Sequence, residues 1–95
     1  MSDEELQTIW RQSIDHYGRR LQSIVCMEEC GELIQAISKK LRKDTSSNDV
    51  LAEEMADVII CLHLLRMMYG ITDKAISDWV EAKTLRTAKR MEEES

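Results

Sequence analysis

Ninety-five residues hold one independent core at most. The composition, 43% hydrophobic and 33% charged with no proline and three glycines, suits long helices, while four aromatics and no phenylalanine argue against a β-sandwich or barrel built on aromatic pairs. A net charge of −5 lacks the basic footprint of a general nucleic-acid binder, yet it leaves room for a small anionic ligand if a cation bridges the two.

Taken in chain order, the apolar period predicts four helices. Ser2 and Asp3 are candidate N-caps for the first, which carries Leu6, Ile9, Trp10 and Ile14 and stops at Gly18. The second runs from about Arg20 to Arg42 through Leu21, Ile24, Val25, Leu33, Ile34, Ile37 and Leu41. The polar stretch Lys43–Asn48 reads as a loop, after which Asn48 or Asp49 caps a third helix that ends at Gly70 as a C′ glycine. Thr72 and Asp73 begin a fourth, with Ile76, Trp79, Val80 and Leu85 ahead of a charged tail. The expected fold is all-α, a four-helix bundle-type core in which two long central helices form an antiparallel hairpin and the first and fourth are shorter. The run Val58-Ile59-Ile60-Cys61-Leu62 makes the third helix apolar on more than one side, so homo-oligomerisation is expected to complete the core.

Cys26, Cys30 and Cys61 sit inside apolar-periodic segments and read as small hydrophobes rather than metal or redox groups, because the Cys26–Cys30 spacing has no matching second pair. No window approaches the ~20 apolar residues of a membrane span, and the acidic start Met-Ser-Asp-Glu-Glu has no secretory pattern. A cytoplasmic protein without membrane or nucleic-acid partners is expected.

The informative feature is where the acids fall. On the second helix Val25, Glu29, Glu32 and Ala36 share an arc of roughly 60°. On the third, Glu54 and Asp57 share a stripe with Val50, Cys61, Leu64 and Met68, and Glu28 and Glu53 add an acid just before each pair. One Glu-x-x-Glu is ordinary solvated surface, but two acidic pairs in matching phase on adjacent helices are not. Four carboxylates turned inward would repel one another unless a divalent cation lay among them. Oxygen-only ligation suits Mg²⁺ or Mn²⁺ rather than zinc. His63, six residues past Asp57, and His16, on another helix, do not complete the Glu-x-x-His pairs of di-iron bundles and read as surface or packing residues.

The sequence Glu28-Glu29-Cys30-Gly31-Glu32-Leu33, followed after 19 residues by Glu53-Glu54-Met55-Ala56-Asp57-Val58, resembles the two-part acidic signature of the MazG-like family of all-α nucleoside triphosphate pyrophosphohydrolases. The resemblance spans about residues 6–90. It implies a four-helix core assembled as a homodimer or homotetramer and Mg²⁺ held by Glu29, Glu32, Glu54 and Asp57. It further implies cleavage of a nucleoside triphosphate to the monophosphate and pyrophosphate.

A triphosphate needs such a cation to enter an acidic cleft, and a carboxylate not engaged by metal, Glu28 or Glu32, is the candidate proton acceptor for the attacking water. Lys83 and Arg86, three residues apart on the fourth helix, resemble phosphate-binding residues of relatives, though a solvated face beside Glu81 is an equal alternative. Lys39, Lys40, Arg42 and Lys43 end the second helix where its dipole favours cations. Trp10 and Trp79 read as packing residues, which leaves base-binding residues unassigned. Two alternatives stay open: hydrolysis of a related phosphoanhydride, of the phosphoribosyl-ATP or alarmone type, and a helical interaction module without activity.

Overall fold

A computed structural model of the chain describes residues 1–43 and 47–95; half of the expected loop, residues 44–46, lies outside them. Four helices follow in order, α1 (Asp3–Tyr17), α2 (Arg19–Lys43), α3 (Asn48–Tyr69) and α4 (Asp73–Glu94), with no strand among the described residues. The all-α expectation holds. Ser2 caps α1 in a reciprocal box, its Oγ accepting from the Glu5 amide at 3.1 Å while the Glu5 carboxylate accepts from the Ser2 amide at 3.1 Å. Gly18 ends α1 at φ 87°, a conformation L side chains avoid, and the chain re-enters helix immediately.

Two helix boundaries differ from the expectation. The N-cap of α3 is Ser47, whose Oγ accepts from the Asp49 amide at 3.0 Å, one residue ahead of the predicted Asn48 or Asp49. And α4, expected to be short, has 22 residues, as many as α3. Its charged tail stays helical because lysine, arginine, glutamate and alanine are strong helix formers, and the helix opens with an i,i+4 pair, Lys74 Nζ to Asp78 at 2.7 Å.

Helices α2 and α3 form the hairpin. Their contacts pair early positions of one with late positions of the other: Ser23 Oγ with Tyr69 OH (2.8 Å), Cys26 Sγ donating to the Cys61 carbonyl (3.7 Å). That descending register is the antiparallel arrangement. The core lies where α1 crosses the hairpin. Cys26, Cys61 and Leu64 are buried, and Trp10, Ile14, Leu65 and Met68 pack around them. Gln22 is buried too, because its amide donates to Ser13 Oγ (3.1 Å), which donates to the Trp10 carbonyl (2.6 Å).

Cys26 and Cys61 thus act as the small hydrophobes expected. Burial pushes the Cys61 thiol up to about 12, and Cys26 is raised for the same reason. Cys30 departs from this: it is exposed. Trp10 packs as expected, stacked on the His63 imidazole with centroids 4.6 Å apart, but Trp79 is 62% exposed and packs into no core.

The molecule is more open than its size requires. It exposes 7701 Å², where a compact monomer of 11.0 kDa exposes about 5600 Å². Its radius of gyration is 16.5 Å against about 12 Å for a compact domain of this length. The excess comes chiefly from α4, none of whose residues is buried.

Candidate functional site

One turn along α2 from Cys26 comes Glu29, and one turn back along α3 from Cys61 comes Asp57. The register that brings the two thiols together therefore brings these carboxylates together as well. Glu54 stands on the same side of α3, and one oxygen from each of Glu29, Glu54 and Asp57 lies within 4.8 Å of the other two. All three residues are half-buried. Glu32, a turn beyond Glu29, is exposed at the rim.

The electrostatics follow from that crowding. The carboxyls of Glu29 and Glu54 are both raised above the ordinary range, first by loss of water and then by their acidic neighbours. For Glu29 the next contribution is a proton shared with Asp57, with Glu32 and Glu54 adding repulsion. For Glu54 the acids Glu32, Asp57 and Glu53 contribute, and a hydrogen bond with Glu32 also favours the neutral form. One oxygen of Glu29 and one of Glu54 are shielded from solvent without a hydrogen-bond partner. Orphaned anionic oxygens at the centre of a cluster of acids are the donor set a hard divalent cation takes, and the residues present fit such an ion.

Of the residues singled out from the sequence, the fold gathers Glu29, Glu54 and Asp57, with Glu32 close enough to act on two of them. Glu28 is on the same helix but exposed. Lys83 and Arg86 are exposed on α4, which buries nothing against the hairpin that carries the acids. His16 is exposed with its ring edge-on to Tyr17, and His63 is a packing residue, as expected of both.

A model of the MazG nucleotide pyrophosphohydrolase domain matches residues 20–92. The chain belongs to this family. The match begins just before Leu21 and takes in the hairpin and nearly all of α4, so Glu29, Glu32, Glu54, Asp57, Lys83 and Arg86 all lie inside it. Most of α1, which supplies Trp10 to the core, lies ahead of it. The class of activity the domain carries is pyrophosphohydrolysis of nucleotides. No curated protein and no solved structure matches the chain.

Sequence spacing gave no weight to a second group of residues, at the foot of α4. The Arg66 guanidinium donates through Nη1 to His63 Nδ1 at 3.0 Å and holds Asp73 through Nη2 at 2.8 Å. Arginine only donates, so His63 Nδ1 accepts and the ring proton sits on Nε2. The signal available was the His-x-x-Arg spacing, one turn on a helix, with an acid at the start of the next helix. This clamp sets how α4 leaves the hairpin.

Proposed function

We propose that this chain hydrolyses nucleoside triphosphates, ribo- or deoxyribo-, to the monophosphate and pyrophosphate with Mg²⁺ as the required ion. The observation that carries the reading is the convergence of Glu29, Glu54 and Asp57, each from its own helical turn, with unpartnered oxygens on two of them. Those three, with Glu32 beside them, are the residues that would hold Mg²⁺, and Mn²⁺ suits the same oxygen donors. When bound, the ion supplies Lewis-acid polarisation of phosphoryl oxygens and a more acidic water.

The chain's own part is to collect and neutralise. Interleaving α2 and α3 holds the acids on rigid helices, so little reorganisation is needed when charge develops. An ionised carboxylate at the rim, Glu32 or the neighbouring Glu28, accepts the proton of the attacking water. Lys83 and Arg86, exposed on α4, are the cations that would match the charge growing on the departing pyrophosphate. The excess of roughly 2000 Å² of exposed surface supports a homodimer or homotetramer, and a cytoplasmic setting accords with three free thiols.

The test is a panel of ribo- and deoxyribonucleoside triphosphates with and without Mg²⁺, read for pyrophosphate against orthophosphate. Pyrophosphate released only with the metal is expected. Orthophosphate as the first product, or no turnover across the panel, overturns the reading.

A further inference from the structure

On the far side of the Cys26–Cys61 pair from the acids, the antiparallel register sets the first turns of α2 beside the last residue of α3. A cavity of about 430 Å³ opens there, lined by Arg19, Arg20, Ser23, Ile24, Met27 and Tyr69. No carboxylate is among them, and the first turn of α2 carries no acid. At 1.5 Å per residue, Ser23 stands about 9 Å along α2 from Glu29, so cavity and acid cluster are separate places.

The polar side chains of this cavity offer more donors than the protein accepts. Arg19 lies over the Tyr69 ring, its guanidinium carbon 5.5 Å from the centroid, which steadies the cation without pairing its charge. Among the described residues neither Arg19 nor Arg20 forms an ion pair. Ser23 Oγ and Tyr69 OH share one hydrogen bond at 2.8 Å. Two hydroxyls carry two protons and that bond uses one, so whichever donates, the other's proton is left for a third group.

Two positive charges and a spare hydroxyl proton call for an anion with several oxygens and a charge near −2. A single carboxylate would leave one guanidinium unmatched, whereas a phosphate offers three acceptor oxygens and about −1.5 to −2 charge near neutral pH. The remaining wall, Ile24 and Met27, is apolar and open to solvent at 36% and 67%. The cavity is larger than a phosphate group needs, so the body of a small ester has room on that wall.

We propose that this cavity binds a phosphate dianion without a metal. Arg19 and Arg20 match its charge, and the Ser23–Tyr69 hydroxyl pair donates to one of its oxygens. Free phosphate and a phosphate monoester share this chemistry; the organic part of the ester would lie on Ile24 and Met27. The nucleoside monophosphate of the reaction proposed above is such an ester, but binding here does not rest on that reaction.

Isothermal titration calorimetry in excess EDTA tests it, because the acid cluster repels anions when no cation is present. Inorganic phosphate and phenyl phosphate are the probes. Saturable binding at one site per chain is expected, and Arg19→Ala/Arg20→Ala should weaken it about tenfold or more with unchanged helical circular dichroism. Ser23→Ala/Tyr69→Phe keeps the ring beneath Arg19, removes both hydroxyls and should weaken binding about threefold or more. Lys39→Ala/Arg42→Ala removes equal charge from the exposed far end of α2 and should leave affinity unchanged. Tighter binding of phenyl phosphate makes the ligand an ester, equal binding makes it free phosphate, and either supports the site. No saturable binding at millimolar probe, full affinity in either cavity variant, or equal weakening by Lys39→Ala/Arg42→Ala overturns it. Turnover enters none of these outcomes, so the hydrolytic function stands or falls separately.

Discussion

The α2–α3 interface has two halves one helical turn apart, and they are built on opposite principles. At one end Cys26 and Cys61 meet at 3% exposure, with Leu64 and the Trp10–His63 stack closing over them. At the other Glu29, Glu54 and Asp57 crowd together half-buried with orphaned oxygens. The same register makes both. What changes is only the residue type at successive inward positions: thiol, then carboxylate, on α2; carboxylate, then thiol, on α3. The neutral half anchors the helices so that the charged half can be held in a geometry it would not choose alone. A site that repels itself needs an adjoining region that does not.

The comparison is sharpest in the thiols. With Cys61 pushed up to about 12 from an ordinary 9.0, its thiolate fraction at pH 8 falls about a thousandfold. A maleimide or disulfide reagent should label exposed Cys30 first, with Cys61 slower by about that factor in the folded protein and Cys26 slowed in the same direction. Equal rates for all three would mean the neutral half opens as readily as solvent-exposed surface.

Next in size is the loss expected at the charged half. Asp57→Asn or Glu54→Gln should lower kcat/KM by about a hundredfold or more, on the scale of ~2.7 kcal/mol of transition-state stabilisation. Helical content should be kept, because each change relieves repulsion instead of removing packing. In the neutral half the pattern reverses: Leu64→Ala should cost about 3 kcal/mol of stability through the cavity it leaves, measured by chemical denaturation. Activity per folded molecule should hold. Leu64→Ala enzyme that stayed fully stable, or an Asp57→Asn protein that unfolded, would erase the distinction between the halves.

Much of this interface is legible in the sequence because helical period and residue type are both local properties. The phase of Glu29, Glu32, Glu54 and Asp57 follows from counting, and it places three of them together. What counting does not give is which side of a helix the rest of the chain covers. Trp79 has the spacing of a core residue, yet nothing in this chain packs over it. Cys30 shares an apolar-periodic segment with Cys26 and is exposed all the same. The length of α4 is missed for another reason: its tail lacks an apolar stripe, so period falls silent while helix propensity carries the backbone on. Arg66 escapes notice because its partners, His63 and Asp73, belong to two helices whose mutual angle is a tertiary fact.

The smallest effect concerns pH, and its sign separates the halves once more. Burial and acidic neighbours raise Glu29 and Glu54 in the folded, metal-free protein above their ordinary value of 4.5. The folded state then binds protons more tightly than the unfolded chain through the range just above 4.5. Stability from these groups is fully present below that value and is lost as pH rises through the raised one. Both residues keep part of their surface in water, so the effect is modest and weakens further in salt. Metal-free protein should therefore melt at a lower temperature at pH 7.5 than at pH 4.5, and Glu54→Gln should flatten that slope. Added Mg²⁺ should act in the other direction, raising Tm more at pH 7.5, where the ligands are already ionised and no proton need be displaced. The thiols of the neutral half contribute nothing over this range, since both are raised above an ordinary 9.0. A melting profile in which Glu54→Gln parallels the parent, or in which Mg²⁺ stabilises equally at both pH values, would assign the pH dependence to groups outside the carboxylate cluster.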